Sequence, residues 1–245
     1  MKVTANIATQ KSRLPVLPDM LASIYDQVDE IRVHINEYDE EVAHALTDWQ
    51  LYRKQLFPFE LKLKFSGGGP DMADNAKFHF LNAVTEPELY LPCDDDIIYP
   101  ADYVERIKAD IAKHPGHIIT YHGRIILAKG LEYYHAHQCF KFFKNQELDY
   151  PVDIAGTGVC AFNTSLFKPS TIANDPRKRM SDLLFSLEAA KANIPIICCA
   201  HPANWIKPIP NVTDTILNAH KDIPTPIQNE LADQIYDLLR TSNNN

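Results

Sequence analysis

Asp94, Asp95 and Asp96 stand side by side between Leu89-Tyr90-Leu91-Pro92-Cys93 and Ile97-Ile98-Tyr99-Pro100. Adjacent carboxylates repel, so such a cluster is costly unless positive charge sits among them. Hard oxygen ligands at the end of a strand suit Mg2+ or Mn2+, and a cation held there could in turn hold a phosphate. One carboxylate would coordinate the cation while a neighbour accepts hydrogen bonds from ribose hydroxyls, and the metal would neutralise a diphosphate leaving group. A solvated acidic loop would explain an arbitrary run of aspartates. The apolar strand before this run and the Tyr-Pro helix start after it favour a site.

The elements needed to position the triplet are legible in the first hundred residues. Val3 to Ala8 reads as a strand, and Leu17, Leu21, Ile24 and Val28 mark a helix within Leu14–Val28. Ile31, Val33 and Ile35 alternate as a second strand ending in Asn36-Glu37-Tyr38-Asp39. A helix follows around Val42, Leu46, Trp49 and Arg53. Leu61, Leu63 and Phe65 form a third strand, closed by Gly67-Gly68-Gly69-Pro70. A helix from Ala73 to Val84 leads to the strand Leu89–Leu91. Strand and helix thus alternate, which implies an α/β fold with a mostly parallel sheet flanked by helices. Ligands in such sheets gather beyond the carboxyl ends of the strands, where Thr9, Asn36, Asp39 and Asp94 to Asp96 fall.

Beyond the triplet, Val104, Ile107 and Ile111 stripe a helix within Ala101–Lys113, and strands are expected at Ile118–Tyr121, Arg124–Leu127 and Val159–Phe162. A helix over Ser181–Asn193 and a strand over Ile194–Ala200, leading to His201, complete the pattern. Thr225-Pro226-Ile227-Gln228 opens a last helix running to Arg240. No repeat and no Gly/Ser-rich linker divides the 245 residues. The expectation is one domain with a nucleotide-binding half (1–100), an acceptor-binding half (101–223) and a C-terminal helix (224–240).

Composition narrows the partners. With 24 Lys+Arg against 32 Asp+Glu the net charge is −8, which argues against nucleic acid or a strongly anionic membrane surface as the main partner. Five cysteines without framework spacing suggest reduced thiols and a cytoplasmic setting. No apolar run approaches the ~20 residues of a bilayer span, so a membrane role would be peripheral.

The triplet at a strand end resembles the D-x-D signature of glycosyltransferases with the GT-A fold. Further likenesses follow in order. Ala8-Thr9-Gln10-Lys11-Ser12-Arg13 resembles the first-strand end of glycosyltransferase family 2, and Asn75-Ala76-Lys77 resembles its "R/K-N" helix. Gly156-Thr157-Gly158-Val159 and Ser181-Asp182-Leu183-Leu184 resemble its acceptor-side loop and its "E/S-D" helix start. The likeness spans roughly residues 3 to 205. It implies that Thr9 and Arg13 lie against a nucleotide, that Asn36 or Asp39 meets the base, and that Lys77 sits near base or phosphate. Asp94 would approach ribose with Asp95 beside it. Asp96 would be the principal ligand of Mn2+ or Mg2+, with His201 as a further one, and Thr157 would line the acceptor side. Asp182 would be the general base of an inverting transfer, with Asp153 in reserve. The donor would be a nucleotide sugar, a uridine diphosphate sugar above all. The acceptor would be a hydroxyl of a glycan or lipid-linked oligosaccharide.

Each assignment has a plainer rival. Asp182 would be expected at a helix start merely as a cap. A lone His201 is more often a hydrogen-bonded core histidine, and Trp49 and Trp205 suit a core as well as a sugar platform. His122 and Arg124 could contact sugar or acceptor. His135 and His137, beside Tyr133 and Tyr134, lack a third ligand, so Gly130–Tyr150 reads as an acceptor-recognition loop or mobile lid. The Q-x-x-R-W signature of processive members is absent, which points to transfer of single sugars. A sugar-phosphate nucleotidyltransferase would carry a Gly-rich loop after its first strand, yet no glycine precedes Gly67. A non-catalytic sugar-nucleotide binder stays open, as does a homodimer through the last helix.

Overall fold

The computed structural model describes residues 1–45, 47–48, 62–134, 137–210, 212 and 225–241. Leu46, Trp49, Arg53, Leu61 and His135 lie outside them. Strands β1 (Lys2–Thr9), β2 (Glu30–Ile35), β3 (Leu63–Gly67) and β4 (Glu88–Cys93) form the amino-terminal half of the sheet. The chain then adds β5 (Ile97–Ile98), β6 (Ile118–Thr120), β7 (Gly123–Ile125), β8 (Gln138–Phe140) and β9 (Tyr150–Val152). Last come β10 (Ile154–Ala155), β11 (Cys160–Asn163), β12 (Ile196–Cys198) and β13 (Lys207–Pro208). Eight of these build one sheet in the order β3-β2-β1-β4-β11-β6-β12-β9.

Among its seven pairings four are parallel and three, those of β11 with β4 and β6 and of β12 with β9, are antiparallel. Every residue of β2 and β4 is buried, as expected for central strands covered on both faces. One face packs on the helices Leu17–Ile24 and Tyr103–Lys113, through Met20, Leu21, Tyr103 and Ile107. The other packs on the helices Ser181–Lys191 and Thr225–Thr241, through Phe185, Leu231 and Ile235. The last helix thus buries its stripe against the body of the protein.

Two elements differ from the sequence expectation in ways that matter for the site. Residues Ala73–Ala83 form a 3-10 helix. Its tighter winding eclipses side chains three apart, so Asp74 and Lys77 project together. Ile97–Ile98 is not the lead-in to a helix but a short strand paired with β13, and the Ile209 N–H donates to the Asp96 carbonyl at 2.7 Å. That ribbon fixes the turn carrying the triplet. The three-residue strands β8 and β9 were too short to declare a period in the sequence.

Candidate active site

Asp94 to Asp96 leave the carboxyl end of β4, as their apolar lead-in implied. Each finds a partner, and Asp95 and Asp96 share one. Lys77 Nζ lies 2.5 Å from Asp94 Oδ1, and Thr9 Oγ1 donates to Asp95 Oδ2 at 2.7 Å. The Arg13 guanidinium stands 3.5 Å from Asp95 and 3.3 Å from Asp96. β1 and β4 pair in parallel, which is why the residues that follow one strand reach those that follow the other. Thr9, Arg13, Lys77 and the triplet therefore gather at one sheet edge.

The backbone there is held by a residue whose part the sequence did not announce. The Tyr99 hydroxyl accepts the Asp94 N–H at 3.0 Å and donates to the Gly158 carbonyl at 2.6 Å. Gly158 leaves room for the carboxylate as it stands: a Cβ at that position would lie 1.9 Å from Asp94 Oδ2.

Lys77 links the triplet to the second motif. Its ammonium also donates to Thr157 Oγ1 at 3.2 Å, and Thr157 donates from Oγ1 and N to Asp182 Oδ1 at 2.6 and 2.7 Å. Asp182 stands in the first turn of the Ser181–Lys191 helix, where the helix field favours a carboxylate. Asp74, missed in the sequence, accepts from Ser181 N and Oγ at 3.0 and 2.6 Å and so fixes that helix start. Its other oxygen is buried without a hydrogen-bond partner.

Burial dominates the titration of this site. It raises Asp182 and Asp74 above the ordinary carboxylate range, against the pull of Lys77. It pushes Asp95 up to about 7, against Thr9 and Arg13, and it raises Asp96 together with the neighbouring Asp94 charge. Burial alone would lower Lys77, but Asp94, Asp74 and Asp182 outweigh it and hold the ammonium charged. A carboxylate raised in this way is a stronger base than one in water.

Asp94, Asp182, Asp74 and Lys77 line a cavity of about 530 Å³, within the ~300–1,000 Å³ usual for small-molecule sites. Its far wall carries Arg124, whose guanidinium lies 5.0 Å from the Tyr133 ring centre and 5.8 Å from that of Tyr134. His122, Phe142 and Phe143 also border it. Burial, then the Arg124 charge, lower His122 to about 4, so it is neutral at physiological pH.

Other sequence candidates lie elsewhere. Asn36 spends its amide on the start of the 3-10 helix, donating to the Ala73 carbonyl and accepting from Met72 N, both at 2.9 Å. Asp39 is exposed, accepts the Val42 N–H at 2.9 Å and pairs with Lys11 at 3.0 Å. Asp153 pairs with Arg240 at 3.1 Å and accepts Ile126 N–H at 2.7 Å, outside the cavity lining. Trp205 packs on Tyr103 and Tyr121 beneath Arg106. His201 is buried, its Nδ1 2.8 Å from the Cys199 carbonyl, and its Nε2 has no hydrogen-bond partner. Asp96 and His201 are not among the described side chains whose ligand atoms already lie within 4.8 Å of one another.

The residues nonetheless fit a divalent cation. Asp94 and Asp96 offer hard oxygens on side chains 39% and 26% exposed, their crowding is what a cation relieves, and the orphaned Nε2 of His201 is a competent ligand atom.

No family profile and no curated protein matches the chain. Solved structures do. S. aureus TarS aligns with a TM-score of 0.56 at 16% identity, over 98% of this chain and 43% of that one. S. aureus TarS 1-349 in complex with UDP-GlcNAc aligns at 0.52 and 15%, over 83% of this chain and 57% of that one. GalNAc-T7 with UDP, GalNAc and Mn2+ aligns at 0.54 and 11%, over 84% and 45%. The chain spans about half the length of these neighbours, and what it shares with them is the fold.

Proposed function

We propose that this chain, which has the GT-A fold, is a metal-dependent, inverting glycosyltransferase. It moves one sugar from a nucleotide-sugar donor, a uridine diphosphate sugar above all, to a hydroxyl of a glycan or lipid-linked oligosaccharide. The reading rests on one observation: Asp94 and Asp182 border the same cavity, joined through Lys77 and Thr157. The neighbours' complexes with UDP-GlcNAc and with UDP and Mn2+ support it.

In this reading Thr9, Arg13 and the triplet receive the nucleotide, with Asp94 toward the ribose. Asp96 and His201 would hold Mn2+ or Mg2+, which supplies Lewis-acid neutralisation of the departing diphosphate. Asp182 takes the proton of the acceptor hydroxyl as its oxygen attacks the anomeric carbon from the face opposite the diphosphate. The bond from that carbon to the diphosphate oxygen breaks, and its electron pair leaves with the diphosphate. Thr157 and the helix start hold Asp182 in place. The aromatic wall formed by Tyr133, Tyr134, Phe142 and Phe143 suits the apolar faces of an acceptor sugar. The setting is cytoplasmic, and peripheral where the acceptor is lipid-linked.

Asp182→Asn tests the assignment. The variant keeps the shape and the Thr157 contact but loses the base, so turnover falls ~10²–10⁴-fold while calorimetric affinity for a uridine diphosphate sugar with Mn2+ stays within about threefold. Unchanged turnover rejects Asp182 as the base. Donor binding in a wild-type protein that transfers to no hydroxyl acceptor and hydrolyses no donor would instead favour a non-catalytic binder.

A further inference from the structure

Three side chains of different chemistry converge outside the cavity. His114 caps the end of the Tyr103–Lys113 helix, Asp149 precedes β9 and Cys199 follows β12. One imidazole nitrogen, one carboxylate oxygen and one thiol sulfur from these residues all lie within 4.8 Å of one another. Zinc accepts just these donor types, and bonds of ~2.0–2.3 Å in a tetrahedron place ligand atoms roughly 3.3–3.8 Å apart. Small side-chain rotations would close that difference. None of the three lines the cavity of Asp94 and Asp182.

The surroundings favour a cation. His114 ends a helix, where the last carbonyls carry partial negative charge. Asp149 already collects positive charge: Lys113 Nζ at 2.6 Å and His114 Nε2 at 2.7 Å meet one oxygen, and the Ala200 N–H meets the other at 2.8 Å. The Lys113 side chain is 61% exposed, so its ammonium can return to water when a divalent ion arrives. The Ala200 contact stays and orients the carboxylate, as second-layer hydrogen bonds do at metal sites. A water can complete the tetrahedron.

We propose that His114, Asp149 and Cys199 form a second divalent-metal site, of zinc type, separate from the acidic triplet. Binding there deprotonates the Cys199 thiol and releases its proton to solvent, so affinity rises with pH. The ion would clamp three segments together. Among them is the stretch in which Gln146 and His201 exchange backbone hydrogen bonds of 2.8 Å.

Co2+ alone is a direct probe, because a thiolate-to-cobalt charge-transfer band reports the sulfur ligand without any assay of turnover. The metal-stripped full-length protein should develop that band with one equivalent of Co2+ and lose it to Zn2+, the stronger binder of the two. Asp96→Asn should keep the band, Cys199→Ser should abolish it, and His114→Gln should weaken Co2+ binding at least ~10-fold. Absence of a band overturns the proposal, as does a band that survives Cys199→Ser or disappears in Asp96→Asn. If Cys199→Ser fails to fold, the partly exposed His114→Gln decides: an unchanged affinity rejects the site. None of these outcomes depends on the sugar-transfer reading, which Asp182→Asn tests separately.

Discussion

At position 158 a single methyl group is too much. A Cβ there would stand 1.9 Å from Asp94 Oδ2 and 2.2 Å from Asp94 Cγ, well inside contact distance, so either the carboxylate or the loop must move. Gly158→Ala should therefore weaken uridine diphosphate sugar binding about 10-fold or more, a loss of ~1.4 kcal/mol. Global stability should change by no more than the ~1–3 kcal/mol of an overpacked contact. Titration calorimetry beside thermal unfolding separates the two, and an unaltered donor affinity would remove Asp94 from the binding surface. The sequence showed Gly156-Thr157-Gly158 as a loop motif, but which neighbour it spares room for depends on β4 and β11 lying side by side. Asp74 was hidden for a related reason: three residues before Lys77 it shares a helix face with it in α or 3-10 winding alike, but that this face borders the cavity of Asp182 depends on contacts between distant segments.

Among the elements, the parallel strands at the amino-terminal end were the easiest to read. Val3, Ala5 and Ile7 in β1 and Ile31, Val33 and Ile35 in β2 alternate, and all are buried. Hidden within the same strands is a polar staple that alternation cannot announce. Arg32 of β2 reaches over Thr4 of β1 to Glu88 of β4, donating at 2.7 and 3.0 Å, and turns its Nε to Glu30 at 2.6 Å. Thr4 Oγ1 donates to the same Glu88 at 2.9 Å. Arg32→Met leaves Glu88 buried without its counter-charge, which should cost ~3–5 kcal/mol in denaturant unfolding. Adding Glu88→Leu should return much of that loss, since an apolar pair can replace a buried ionic one. A double variant as unstable as the single would show that shape, and not charge, is what the staple supplies. The short strands β5 and β13 were illegible because two residues carry no period; their pairing is fixed by distant chain segments.

For the molecule as a whole, the expected halves 1–100 and 101–223 contribute strands to one sheet, joined where β11 pairs antiparallel with β4. Helices cover both of its faces. Urea unfolding followed by far-ultraviolet circular dichroism and by fluorescence should accordingly trace one coincident transition, as cooperative domains do. Two separated transitions would make the halves independent folding units. The α/β alternation told the sequence reader that such a sheet exists, and the strand-end rule placed Thr9 and Asp94 to Asp96 at one edge, while Arg13 entered through the family resemblance. Their mutual pairing, and the joining of Asp182 to them through Lys77, became visible only in three dimensions.

The acidic triplet is offset in part from within by Lys77 and Arg13. A newly made chain in a metal-starved cell would for that reason still reach its native shape and resist proteolysis. If the proposed metal-dependent transfer holds, restored supply of the ion would then act on finished molecules already in place, with no wait for fresh synthesis.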